Sequence, residues 1–305
     1  MRDAFQKQVC AARIVLTIPF AAFLLIATAP NASAGPIFGP DLSSFAILGG
    51  AGVAVNGAGS VITGSVGGCC TVDTVTGYPA AFSIFGGTVQ QGGATAIAAN
   101  AELGVAITAL SALAGGSTTT ESELGGLTLG PGVYVSASTM HLAGTLILDG
   151  YGNVNAMWVF LLGSSFSTDD FSNVIVENTG AGAGVYWVLG SSTTPDLGSG
   201  STFEGNILAS ASIPVSTGVT IPCGRLLTQV ASVTLAGTDT IGGCSGALAG
   251  SNGLSGGGTL NNGVITPLAP SYVPEPSAFF CLAPCLAGLA IQRLWSRSKP
   301  SKSRA

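Results

Sequence analysis

The chain has 305 residues, 47% hydrophobic and only 8% charged, with a formal net charge of −5. So apolar a composition excludes a disordered chain, and 46 glycines without a strict three-residue period exclude a collagen-like one. Between Gly35 and Tyr272 the single base is Arg225, set against 12 of the 14 acids; this body, at about −11, would repel phosphate backbones and would not adhere to anionic lipid by charge.

Residues 1–34 read as a secretory signal. Arg2, Lys7 and Arg13 form a basic start, 14–27 is an apolar run, and Ala32-Ser33-Ala34 is a small-x-small cleavage site. The run is short for a permanent transmembrane span. Residues 41–66 open the mature domain with the strand-like pieces Phe45-Ala46-Ile47-Leu48 and Val61-Ile62-Thr63-Gly64-Ser65-Val66. Residues 94–114 differ: they are Ala-rich, lack Pro, and place Leu103, Ile107, Leu110 and Ala114 at helical spacing. With Glu102 as its only charge, this helix must be largely covered, lying along the rest of the domain, and Gly115-Gly116 ends it.

From Leu124 to Ile241 short Val/Ile/Leu/Thr runs alternate with Gly, Ser and Asn, a pattern of many short strands. The last part repeats itself. Ala211-Ser212-Ile213 returns as Ala231-Ser232-Val233, Val215 as Leu235, and Thr220-Ile221 as Thr240-Ile241, at an offset of 20; Gly205-Asn206-Ile207-Leu208 returns as Gly224-Arg225-Leu226-Leu227, at 19. A period near 20 suggests stacked coils of a β-solenoid sharing one core, with a β-sandwich of coincident spacing as the alternative. Residues 35–244 are then one domain. Residues 245–272, rich in Gly, Ser and Asn, read as a flexible linker. Residues 273–305 hold Val273-Pro274-Glu275-Pro276, an apolar run over 278–291, and the bases Arg293, Arg297, Lys299, Lys302 and Arg304.

Four cysteines fall in the mature domain, Cys69, Cys70, Cys223 and Cys244, and export would allow them to form disulfides in any of three full pairings. A zinc site draws no support, because His141 is the single histidine. Asp169-Asp170, with Asp196 and Glu204, raises a glycosidase reading; adjacent strand residues point to opposite faces and make a poor catalytic pair, and a solvated turn fits better. Asp149-Gly150-Tyr151-Gly152-Asn153 lacks the spaced carboxylates of a calcium loop. The sequence points to no enzyme, cofactor, metal or nucleic-acid partner.

Two resemblances sharpen this. The layout of Pro274-Glu275-Pro276, apolar run and basic tail resembles the PEP-CTERM sorting signal of Gram-negative bacteria, which implies export to the cell surface or medium and processing by an exosortase. The 14-residue run would span about 21 Å as a helix against a bilayer core of about 30 Å, which suits a transient membrane signal. The body resembles the ice-binding-like family over roughly residues 41–241. The matching pieces include 124–134, 142–149, Asn155-Ala156-Met157-Trp158-Val159-Phe160, Val185-Tyr186-Trp187, 201–209 and Gly224-Arg225-Leu226-Leu227. That resemblance implies an irregular right-handed β-solenoid of triangular section with one long α-helix alongside, and an N-terminal coil stacked beside the C-terminal coils. It carries with it the expectation that the Cys69/Cys70 pair bonds to Cys223 and Cys244, stapling first coil to last.

The function implied is ice binding by a flat array of small hydroxyl and methyl groups repeating at the strand spacing. Thr63 and Ser65 share one strand side; Thr234, Ala236, Thr238 and Thr240 share another if that strand stays extended; Thr217-Gly218-Val219-Thr220 fits the family's loose Thr-small-x-Thr pattern. Neighbouring first and last coils would join Thr63, Ser65, Thr234 and Ala236 in one face. The alternative is an adhesin or matrix protein that binds extracellular polysaccharide with the same face, using Trp158 or Trp187 as platforms if they are exposed; a carbohydrate-active enzyme comes third.

Overall fold

The computed structural model describes residues 34–272 apart from 71–73, 117, 120–121 and 192. The segment expected to be a secretory signal (1–34, all but Ala34) and the one expected to be a sorting signal (273–305) lie outside the described residues.

The described chain is mainly β with one long helix, and its coils stack as a β-solenoid. Each complete coil visits three parallel sheets. Gly205–Ala209, Ile213–Val215 and Thr220–Ile221 make one coil; Gly224–Thr228, Ser232–Leu235 and Thr240–Ile241 make the next. The repeat read from the sequence is this stacking: Gly205 pairs with Gly224, Ile213 with Val233, Val215 with Leu235 and Thr220 with Thr240. A first sheet of nine strands runs in the order Val89–Gln91, Ser65–Gly68, Phe45–Gly49, Gly224–Thr228, Gly205–Ala209, Gly184–Leu189, Met157–Leu162, Gly132–Ser136, Thr118–Thr119. The order places the first coil directly on the last, with Ile47 beside Leu226 and Thr234 beside Ala54.

That topology sets the length of the helix. The chain leaves the first sheet at one edge, Val89–Gln91, and re-enters at the other, Thr118–Thr119. Nine strands leave eight gaps, about 38 Å. The α-helix Ala94–Ser111 has 18 residues and the 3-10 turn Ala112–Gly116 has five; together they rise about 37 Å. The helix lies over the outer side of this sheet and buries Ala96, Ala99, Leu103, Ala106, Ala109 and Leu110. Of the spacing set, Leu103 and Leu110 are buried and Ile107 half-buried, whereas Ala114 is exposed in the final 3-10 turn. Strands covered on both sides need apolar residues throughout. In Met157–Leu162, accordingly, Met157, Val159 and Leu161 face the helix while Trp158, Phe160 and Leu162 fill the solenoid interior. There Tyr134, Phe160 and Trp187 stack, with centroids 5.2 and 3.9 Å apart.

Three expectations need correction. Residues 245–272 are not a flexible linker. They form the 3-10 turn Gly246–Leu248 and the strands Gly258–Asn261 and Val264–Pro267, which join Gly35–Pro36 in an antiparallel sheet. Leu248, Leu254 and Ile265 from this stretch are buried in the two cores. The disulfides are Cys69–Cys70 and Cys223–Cys244, not a staple between the two pairs. Cys69 follows Ser65–Gly68 whereas Cys223 precedes Gly224–Thr228, so they sit at opposite ends of the first sheet's strands, on the order of 15 Å apart, far beyond disulfide reach. Finally, residues 61–66 are two strands, Ser60–Thr63 and Ser65–Gly68, divided at Gly64, whose φ of +123° turns the chain from the sheet that holds Thr220–Ile221 and Thr240–Ile241 into the first.

Arg225 ties the ends together. It is 4% exposed, and its guanidinium donates to the Ser43 carbonyl (2.9 Å), Asn206 Oδ1 (3.1 Å), Asn252 Oδ1 (3.1 Å) and the Gly253 carbonyl (3.2 Å). It also lies 5.5 Å from the Phe38 ring centroid. All four acceptors are neutral. Burial draws its pKa down to about 10, which leaves it charged at neutral pH.

Candidate functional site

Two sheets face solvent with one side each. The second sheet is built from Met140–Leu142, Phe166–Thr168 and Pro195–Asp196, continued through the Leu197–Val215 bridge by Ile213–Val215, Ser232–Leu235, Gly52–Val55 and Val75–Thr76. Alternation sends Ile213, Val233, Leu235, Val53 and Val75 inward, so the residues between them point out. Register then aligns Pro214, Thr234, Ala54 and Thr76 in one row across the strands. Ser232 sits beside Gly52 in a second row. Ser216, Ala236 and Asn56 begin a third, held by Ala236 N–H to Val215 O and Asn56 N–H to Leu235 O, both 3.0 Å. Rows repeat about every 6.6 Å along the strands and about every 4.8 Å across them. These four strands contain no charged residue.

The other end of the same sheet is charged. Asp196 faces out, and His141 is held between two carboxylates: Nδ1 lies 2.7 Å from Glu123 Oε2 and Nε2 lies 3.0 Å from Asp169 Oδ1. The hydrogen bond to Glu123 chiefly holds His141 above its ordinary pKa, with Asp169 adding to it against slight desolvation. Desolvation pushes the Glu123 carboxyl up, but hydrogen bonds from the Ala143 N–H, His141 and the Gly125 N–H together hold it below its usual value. Both ring nitrogens are engaged by acids, so the histidine has no free nitrogen to activate a serine. Asp170 accepts the Ser199 N–H of the neighbouring coil at 2.7 Å.

The third sheet presents Thr145, Asn173, Thr202, Thr220, Thr240, Val61 and Ser83 in one row. It also carries exposed Phe85 and Ile175, and Glu204, whose carboxyl is pushed up to about 7 by burial although it accepts the Val176 N–H. It is bulkier and more acidic than the uncharged half of the second sheet.

The sequence candidates therefore divide. Thr234 and Ala236 lie on the second sheet; Thr63, Thr220 and Thr240 lie on the third. Thr217 and Thr238 are exposed at the corner between them, where Gly237 and Thr238 adopt φ of +132° and +57° and break the extended run expected over 234–240. Ser65 is excluded: it is 8% exposed in the first sheet, and its Oγ accepts the Thr88 N–H. Pro214, Ala54 and Thr76 share the row of Thr234, with Ser232 in the next row, and none of the four stood among the sequence candidates, because strand register rather than local pattern decides which residues align. Trp158 and Trp187 are fully buried and donate to the carbonyls of Leu129 and Glu204, so neither is a sugar platform.

Comparison with known proteins agrees with this architecture. The family model described as ice-binding-like matches residues 47–241. An ice-binding protein of Nostoc sp. (strain HG1) is 42% identical over 193 residues, 63% of this chain and 69% of that one. The crystal structure of an ice-binding protein from the Antarctic ascomycete Antarctomyces psychrotrophicus superposes with a TM-score of 0.61 at 34% identity, covering 70% of this chain and 100% of that one. A structure of an ice-binding protein from an Antarctic biological consortium gives 0.61 at 30% identity, covering 68% and 90%. The chain belongs to the ice-binding-like family.

Proposed function

We propose that this chain is an exported, non-catalytic protein that binds ice through the uncharged half of its second sheet, with Thr234, Ala236, Ala54, Thr76 and Ser232 in the contact and Thr217 and Thr238 at its rim. The observation that carries the reading is the charge-free grid of small side chains at strand spacing. The methyls of Thr and Ala hold an ordered water layer and the hydroxyls anchor it, so the layer can merge with a lattice. A buried interior keeps the grid rigid: Ile213, Val233 and Leu235 are fully buried beneath it. Winding through three sheets supports a triangular section, and the family resemblance a right-handed one. The leader and the Pro274-Glu275-Pro276 tail support an extracellular or cell-surface protein sorted by an exosortase.

The test uses residues 35–272 in an ice-recrystallisation assay. Thr234→Tyr should abolish the slowing of crystal coarsening, and Thr63→Tyr, on the third sheet, should leave it largely intact. Loss in Thr63→Tyr alone would move the ice contact to the third sheet.

A further inference from the structure

We infer that a cavity beside Arg225 is a binding site for a small sugar acid, with the guanidinium taking the carboxylate and the cavity lining taking the hydroxyls. The cavity, of about 310 Å³, lies where the strands Phe45–Gly49 and Gly224–Thr228 begin, and the chain on either side of the 3-10 turn Gly246–Leu248 completes its walls. Arg225 lines it and is 4% exposed. The four Nη hydrogens go to neutral oxygens, those of Ser43, Asn206, Asn252 and Gly253. The Nε–H donates to no acceptor among the described residues, and the two ion pairs among them both involve His141. The Phe38 ring and the four oxygens solvate the charge without neutralising it. A buried guanidinium ordinarily has an anionic partner. The cavity lining contains no Asp or Glu to serve as one.

The rest of the lining selects the ligand. The backbone N–H groups of Gly243, Cys244, Asn252 and Gly253 donate to no acceptor among the described residues, and Thr63 Oγ1 is likewise unengaged. These amides, one hydroxyl and the Asn252 side chain surround a single cation. Phe45, the aromatic of the wall, is 1% exposed and offers no ring face to an apolar ligand. A molecule with one carboxylate and several hydroxyls fits that set, and a volume at the small end of ligand pockets suits one sugar unit. The Cys223–Cys244 bond holds one wall in place before a ligand arrives, which lowers the cost of binding.

The test titrates glucuronate into the full chain by calorimetry, at an ionic strength fixed with sodium chloride. Glucuronate should bind; glucose, which lacks the carboxylate, and acetate, which lacks the hydroxyls, should each bind about tenfold more weakly or worse. Asn252→Asp sets a carboxylate where the amide oxygen lies 3.1 Å from Nη2. It neutralises the guanidinium from within and should weaken glucuronate binding about tenfold or more, with the fold intact by circular dichroism. Thr63→Val should weaken it about threefold and carries the test if Asn252→Asp does not fold. No binding by the folded native chain, equal binding of glucose or acetate, or unaltered affinity in the folded variants would overturn the inference. A uronate trimer that binds as tightly as the monomer would identify the end of an acidic polysaccharide as the source, and one that binds about tenfold more weakly the free acid. None of these readings depends on ice.

Discussion

At the scale of single residues, the buried Arg225 is the most consequential side chain outside the cores. Its guanidinium joins Ser43 of the first coil, Asn206 of the adjoining strand, and Asn252 and Gly253 of the C-terminal segment. Truncation strands four acceptors, so Arg225→Ala should cost about 3 kcal/mol in urea denaturation, and Arg225→Lys should not restore it because an ammonium cannot fork to all four. Two titrations follow from the sheets. Glu204 has a folded pKa of about 7 against 4.5. A raised carboxyl favours the fold below pH 4.5 and loses that contribution as pH rises through about 7. Glu204→Gln, which keeps an acceptor for Val176, should therefore be more stable than the native chain at pH 8 by roughly 2 kcal/mol, and equal to it at pH 4. His141 is also raised, so its contribution is complete below its unfolded pKa and lost as pH climbs through the folded one. Its ring is 35% exposed, so the effect on stability is small. A proton NMR titration of this single histidine should show its pKa fall in Glu123→Gln.

At the scale of elements, the C-terminal segment and the Cys223–Cys244 bond do work that composition concealed. Removing residues 245–272 uncovers Leu248, Leu254 and Ile265, each at most 6% exposed, and should lower stability by about 5 kcal/mol or more. Unchanged denaturation of 35–244 would restore the linker reading. The Cys223–Cys244 bond closes a loop of 21 residues, so Cys223→Ser with Cys244→Ser should cost about 3 kcal/mol. What the sequence made legible here was local or periodic. The helix showed because Ala, Leu and Ile fall at a 3.6 spacing without Pro, and the pairing of 205–221 with 224–241 because like residues recur at fixed offsets. The corners were hidden. Alternation of small residues continues across Gly64 (Thr63, Ser65) and Gly237 (Thr234, Ala236, Thr238), and only the positive φ at each turns one apparent strand into two. Gly/Ser content masked three anchoring apolar residues, and the cysteine pairing depended on which end of a strand each one occupies.

At the scale of the whole molecule, the coil order creates the proposed contact. Pro214 and Thr234 come late in the chain and Ala54 and Thr76 early, and one row forms only because the first coil docks on the last. The same order demands a connection across nine strands, which the helix supplies. The distribution of charge divides the second sheet into an acidic end around His141 and Asp196 and an uncharged grid over its last four strands.

The measurement that bears most directly on ice binding by the second sheet is partition into a slowly growing ice front. Dye-labelled protein of residues 35–272 would be compared with Thr234→Tyr and with Thr63→Tyr, all shown folded by circular dichroism. The native chain and Thr63→Tyr should be enriched in the ice fraction and Thr234→Tyr left in the liquid. Exclusion of the folded native chain from ice would contradict ice binding, and equal enrichment of Thr234→Tyr would contradict the assignment of the second sheet.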